Sequence, residues 1–253
     1  MFNNIFGKKA DAKIEEESME AKRPVFSKYN PELFINVYKG HFASDRFHTN
    51  YYLDMNPMKI RQKTAKLAAD AMAAKYIQKV NVTPNIFMGE NYAGLANSMA
   101  QTKPIDTILC LDGCELMGAY VAETLSKSGI TTNNFHHSFN VMTPEFDASG
   151  TMVVRDAIKD KFKGKNVLII LATAMHGMTI KRVLKTVEEY GGNILGISVI
   201  FSLVDEIEGH PVNSIFTSAD LPDFKLVEEA ECEACKNKEP LDGIINHYGL
   251  NII

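Results

Sequence analysis

The order of segments along this chain points to an α/β protein whose main sheet is largely parallel and flanked by helices. Three observations carry that expectation. The stretch Asn166–Ala172 (NVLIILA) reads as a strand with no polar position inside it, as burial on both faces requires. Ile105–Leu111 (IDTILCL) and Ile194–Phe201 (ILGISVIF) are comparable apolar runs. Amphipathic helical segments stand between them, and strands alternating with such helices build parallel sheets.

In chain order, residues 1–28 mix Lys8, Lys9, Lys13, Lys22 and Arg23 with Asp11, Glu15, Glu16, Glu17 and Glu20. Few apolar anchors and many charges read as a flexible N-terminal arm. Its apolar start, Met1, Phe2, Ile5 and Phe6, can dock on a partner subunit, although a disordered tail is the simpler expectation. The remainder, 29–253, reads as one domain: small N-terminal hood elements over about 29–56, a core over about 57–225, and a C-terminal CxxC tail. From Met58 to Tyr76 the chain is rich in Ala, Lys and Leu with apolar positions at helical spacing, so a helix is expected there. Asn56 is its expected cap and Pro57 its first-turn proline. A second helix is expected over Asn91–Gln101, and a third over Leu116–Ser126 after the Ile105–Leu111 strand. The helix after Ala172 places Ile180, Val183, Leu184 and Val187 on one face, and Gly191 and Gly192 end it.

The chain has 253 residues, with 27 Lys+Arg against 31 Asp+Glu and a net charge of -4, which argues against nucleic acid as a partner. No run approaches the roughly 18 apolar residues that span a bilayer, and the N-terminus has no secretory pattern. A cytoplasmic protein with no membrane partner is expected. Four cysteines do not make a disulfide framework in a chain of this length. Cys110 and Cys114 are spaced CxxxC, and Cys232 and Cys235 form CxxC. Together they can make a four-thiolate zinc site, but structural or incidental thiols are the plainer reading, with Cys232 and Cys235 the weak metal candidates.

Ligands of open parallel sheets collect beyond the carboxyl ends of the strands. Two loops fall there. One runs from Cys110 to Gly118 and carries Asp112, Gly113, Cys114 and Glu115. The other runs from Ala172 to Thr179 through Thr173, Ala174, Met175, His176, Gly177 and Met178. The second has the layout of an anion site: hydroxyls on Thr173 and Thr179, Gly177, and free N–H groups at a helix start. An ordinary strand-to-helix turn with Thr179 as N-cap has the same pattern. Neither GxGxxG nor GxxxxGK[ST] occurs.

The segment order resembles the type I phosphoribosyltransferases, and most closely the orotate phosphoribosyltransferases. The resemblance begins at Lys39-Gly-His-Phe42 and Asn50-Tyr-Tyr52, which look like the family's hood over the base. It continues through IDTILCLDGCELMGAYVAETLS and KGKNVLIILATAMHGMTIKRVLKTVEEYGGNILGISVIF, and ends at Glu231-Cys-Glu-Ala-Cys235-Lys, covering about four-fifths of the chain. It implies a phosphoribosyltransferase-like sheet, a phosphate-binding loop over Thr173–Thr179, a pyrophosphate loop at Asp112, Gly113, Cys114 and Glu115, a base site at Tyr51 and Tyr52, and a homodimer.

The departures point one way. The family's phosphoribosyl-pyrophosphate (PRPP) motif has two adjacent acids that hold the ribose hydroxyls; here Leu171 and Ala172 stand in their place. The catalytic loop after the next strand corresponds to Phe139–Gly150, which has no Lys or Arg. Asp112 and Glu115 repel a pyrophosphate unless a metal intervenes. The expected protein has therefore lost standard PRPP-dependent transfer and binds a nucleotide or other small phosphorylated ligand, or acts as a regulator. No residue is assigned as catalytic and no cofactor is expected. The alternative is a divergent active transferase of nucleotide metabolism, using orotate or another base, PRPP and Mg2+, with a different site built from His176, His136, His137, Asp112 and Glu115. A role in assembly is a further reading, resting on Met142, Met152, Met175 and Met178 near the loops. Asp205, Glu206, Glu208 and His210 hold metal-ligand atoms, but a solvated turn before Pro211 is the plainer expectation.

Overall fold

The computed structural model describes residues 23–44, 47–77, 103–128, 138–175, 177–246 and 249–253. Most of the expected arm, the helical stretch Asn91–Gln101, and His136, His137 and His176 lie outside the described residues. The end of the arm is not a tail: Arg23–Phe26 forms strand β1, paired antiparallel with β2 (Phe34–Ser44), and β2 pairs antiparallel with β3 (Phe47–Asp54). In β2, Ile35 and Val37 are buried with Asn36 half-buried between them, the alternation of a half-buried strand. A register shift between Lys39 and Phe42 breaks that alternation, and His41 and Phe42 are both buried. An irregularity of this kind re-aims a side chain.

The single helix expected over Met58–Tyr76 is two, α1 (Asn56–Ile60) and α2 (Gln62–Ala73), separated by Arg61 in an extended conformation. The break gives α1 its own direction, with Met58 and Lys59 both buried. Asn56 is not the cap; Met55 precedes the helix, and the Asn56 N–H donates to Asp54 Oδ1 at 3.1 Å. Pro57 does occupy the first turn.

The core follows as β4 (Thr107–Cys110), α3 (Glu115–Lys127), β5 (Asn140–Met142), a small hairpin of β6 (Glu145–Phe146) and β7 (Met152–Val153), β8 (Asn166–Ala174), α4 (Met178–Glu189), β9 (Asn193–Ser202), β10 (Glu206–Ile207) and β11 (His210–Thr217). Its sheet has the order β5-β4-β8-β9-β11-β10, parallel throughout except for β10 at the edge. Successive residues of β8 explain its apolar run: Leu168, Ile170 and Ala172 face the core shared with α2 and α3, and Val167, Ile169 and Leu171 face that of α4. Ile180, Val183, Leu184 and Val187 of α4 are all buried, each contributing about 1.5–3 kcal/mol of transfer free energy. Gly191, at φ 76°, ends α4, its N–H bonded to Glu188.

The hood is larger than expected and is not purely N-terminal. After β12 (Leu226–Glu228) and the short helix α5 (Glu233–Lys236) come β13 (Gly243–Asn246) and β14 (Gly249–Ile252). These three strands join β1, β2 and β3 in a six-stranded sheet, with β12 on β3 and β13 parallel to β2. The CxxC segment is thus the link between two hood strands. The Phe139–Gly150 segment contributes β5 to the edge of the central sheet, then β6 and the turn leading to β7, which is tied by Asp147 and by Arg182 donating to the Ser149 carbonyl at 3.1 Å. Asp205–His210 is a tight hairpin with Glu208 and Gly209 both at positive φ; Lys181 pairs with Glu208 at 2.7 Å. Among the described residues, no helix is long and apolar enough to cross a membrane.

Candidate ligand-binding site

A cavity of about 510 Å3 lies between the hood and the carboxyl ends of β4 and β8. The hood contributes Tyr51 and Tyr52; the core contributes Asp112, Leu171, Ala172 and the turn into α4; the C-terminal strands contribute Ile245, Asn246 and Gly249. The three groups of site residues picked from the sequence therefore meet in one space, although not every member reaches it.

In the turn after β8, Thr173, Met175, Gly177, Met178 and Thr179 line the cavity, and Ala174 is buried in the core. The strand runs two residues further than expected, with Thr173 and Ala174 paired to Phe201 and Ser202. The expected seven-residue loop is thus a much shorter connection over 175–177. Thr179 is not the N-cap: Gly177 occupies that position at φ 71°, without a side-chain cap. A glycine has no side chain to cap the first-turn N–H groups of α4 at the cavity edge.

In the turn after β4, Asp112 at φ 56° and Gly113 at φ 77° make a left-handed pair, and Asp112 lines the cavity. Cys114 is fully buried instead, and Glu115 accepts a hydrogen bond from the Thr143 hydroxyl at 2.8 Å. Cys110 and Cys114 both sit in the core, far from any role as a paired thiolate site with the tail; burial pushes the Cys110 thiol up to about 12 and Cys114 well above its usual range. The four-thiolate arrangement does not form. Cys232 and Cys235 instead lie beside His41 and His48.

Tyr51 and Tyr52 are each 8% exposed. Tyr52 stacks on Tyr38 at 5.8 Å, and burial, with Asp54 nearby, pushes its phenol up to about 12, so it stays neutral. The residue that sequence reasoning passed over is Lys59. It is 8% exposed, lines the cavity, and its ammonium donates to the Asp112 carbonyl at 3.1 Å. Among the described residues that line the cavity, it is the one Lys or Arg, and Asp112 is the one acid. A lysine in an Ala-rich helix looks like a solvated residue, and only the break at Arg61 turns it inward.

No family model matches the chain, and no curated relative matches it. Among solved structures, the chain is similar to a phosphoribosyltransferase from Corynebacterium diphtheriae, at 13% identity and a TM-score of 0.45, over 72% of this chain and 91% of that one. It is similar to the orotate phosphoribosyltransferase of Mycobacterium tuberculosis H37Rv at 14% identity and a TM-score of 0.41, over 69% and 83% of the two chains. The adenine phosphoribosyltransferase of Rhodothermus marinus is matched at 14% identity and a TM-score of 0.40, over 78% and 94%.

Proposed function

We propose that the cavity binds a small phosphorylated ligand with a planar group, a nucleotide being the simplest, and that the protein does not carry out standard PRPP-dependent transfer. The observation that carries this reading is the composition of the cavity wall. Lys59, the one Lys or Arg among the described lining residues, and the start of α4 supply an anion-binding end. Tyr51 and Tyr52 of the hood supply an aromatic wall, and Met175 and Met178 add apolar lining beside the start of α4.

Transfer from PRPP needs groups that grip the ribose diol and neutralise a leaving pyrophosphate. Leu171 and Ala172, at the cavity wall, offer no side-chain acceptor for hydroxyls. Mg2+ is usually held through one or two carboxylates together with ligand phosphates. Asp112 alone, among the described residues lining the cavity, supplies one, so the chain holds Mg2+ there only with phosphate oxygens completing the shell. The homodimer belongs to the same proposal and is read by light scattering of the purified protein.

Calorimetric titration with UMP, ribose 5-phosphate, inorganic phosphate and PRPP, each with and without Mg2+, tests the reading. Binding of UMP with no orotate-dependent release of pyrophosphate from PRPP is the expected result. Absence of binding by all four compounds overturns ligand binding, and turnover of PRPP with any base overturns the loss of transfer.

A further inference from the structure

We propose that His41, His48, Cys232 and Cys235 form a zinc(II) site that fastens the C-terminal segment to the hood sheet. None of the four lines the cavity, so the inference stands apart from the ligand-binding reading. One ligand atom from each of the four lies within 4.8 Å of every other. The contacts are His41 Nε2 to His48 Nδ1 at 3.0 Å, Cys232 Sγ to His41 Nε2 at 3.4 Å, Cys235 Sγ to His41 Nε2 at 3.6 Å and Cys235 Sγ to His48 Nδ1 at 3.2 Å. A tetrahedral zinc ion with ordinary Zn–N and Zn–S bonds spaces its ligands about 3.3 Å (N to N) and about 3.6 Å (N to S) apart. The cluster already has that size, to within a few tenths of an ångström.

Hydrogen bonding alone does not account for this arrangement. His41 Nδ1 lies 3.1 Å from the carbonyl oxygen of Pro240, which can only accept, so Nδ1 carries the proton. That leaves Nε2 with a single lone pair, yet three polar atoms crowd it within 3.6 Å. One lone pair accepts one hydrogen bond; a cation at the centre satisfies all four groups at once. The Pro240 carbonyl is also the kind of outer partner that fixes the tautomer of a metal-binding histidine. Two imidazoles with two thiols form a donor set that suits zinc and disfavours Mg2+ and Ca2+. Binding deprotonates the thiols and releases their protons to solvent.

Local structure explains how such distant residues meet. The register shift in β2 brings His41 beside His48, which comes from the neighbouring strand β3. Cys232 precedes the short helix α5 and Cys235 lies within it, 191 and 187 positions from their respective histidine partners. Around the cluster, the His41 N–H donates to Asp242 Oδ2 at 2.7 Å and the Asp242 N–H to the His41 carbonyl at 2.8 Å, leading directly into β13. The metal thus secures strands that supply Ile245, Asn246 and Gly249 to the cavity wall.

Elemental analysis of the purified full-length protein, followed by exchange of its metal for Co2+, tests this. About one zinc per chain is expected, and the cobalt form shows the thiolate-to-cobalt charge-transfer band and intense visible absorption of a tetrahedral site. Both features disappear in Cys235→Ser and in His48→Ala. Should a variant fail to fold, chelation of the wild-type protein is the second measurement, lowering its melting temperature until Zn2+ is restored. The proposal is overturned by protein free of zinc that gives no charge-transfer band with added Co2+, by a Cys232–Cys235 disulfide in the freshly isolated protein, or by a band that survives both substitutions.

Discussion

The ammonium of Lys59 and the main-chain carbonyl of Asp112 lie 3.1 Å apart, joining the helix below the hood to the left-handed turn after β4. A buried lysine is thereby held at the cavity wall by the turn that also presents the only acid among the described lining residues. Lys59→Met keeps the length and apolar stem of the side chain while removing the charge. If Lys59 holds the phosphate of a bound nucleotide, UMP affinity falls about 10- to 100-fold, the value of a charge-assisted hydrogen bond. Calorimetry on the folded variant reads this directly, and unchanged affinity confines Lys59 to a structural role.

Gly118 on α3 lets that helix lie against β4: a methyl group there stands 2.2 Å from Cys110 Sγ. Gly118→Ala is expected to destabilise the protein by about 1–3 kcal/mol through overpacking. Because the nearest obstacle is the sulfur, with Val141 Cγ1 at 3.2 Å and Ile108 Cγ2 at 3.4 Å beyond it, the double variant Gly118→Ala/Cys110→Ala regains part of that loss. Urea unfolding of the four proteins in the cycle gives the coupling. Additive effects place the strain elsewhere.

The central sheet was legible because its residues repeat their instructions locally. Burial on both faces writes β8 as an unbroken apolar run, and α4 carries its own stripe and its own glycine stop. The hood was only half legible. Its C-terminal strands are three or four residues long, too short to show a period, and β12 and β13 pair with partners near the other end of the chain. The metal cluster was half visible for the same reason. CxxC is a local pattern, whereas His41 and His48 join it only through strand pairing and a register shift. Lys59 was missed because helical propensity cannot foretell the break at Arg61, and it is the break that turns its side chain inward.

Cys110 and Cys114 are expected to resist alkylation in the native protein. Burial moves the Cys110 thiol from near 9 to about 12, which at pH 8 lowers its reactive thiolate about a thousandfold. Its modification by iodoacetamide, followed by peptide mass spectrometry, rises with pH without levelling off below about 12. The same shift has a sign for stability. Between pH 9 and 12 the unfolded chain has lost a proton that the folded chain keeps, so stability falls as pH rises through that window. Rapid labelling of Cys110 at pH 8 is incompatible with the buried thiol.

Tyr76, just past α2, ties that helix to the central sheet through its hydroxyl. It lies 3.0 Å from Ser198 Oγ on β9 and accepts from Asn213 Nδ2 on β11 at 3.1 Å. Tyr76 and Ser198, which is fully buried, share a hydrogen bond in which either hydroxyl can donate. Tyr76→Phe keeps the ring but strips both neighbours of a partner, and an abandoned buried polar group costs more than the bond itself was worth. A loss of about 1–3 kcal/mol in urea unfolding is expected. Tyr76→Phe/Ser198→Ala removes both hydroxyls of the pair together and is expected to be more stable than Tyr76→Phe alone. A double variant no better than the single one shows that Asn213, not Ser198, is the partner whose loss is felt, and Asn213→Leu in the same background then separates the two.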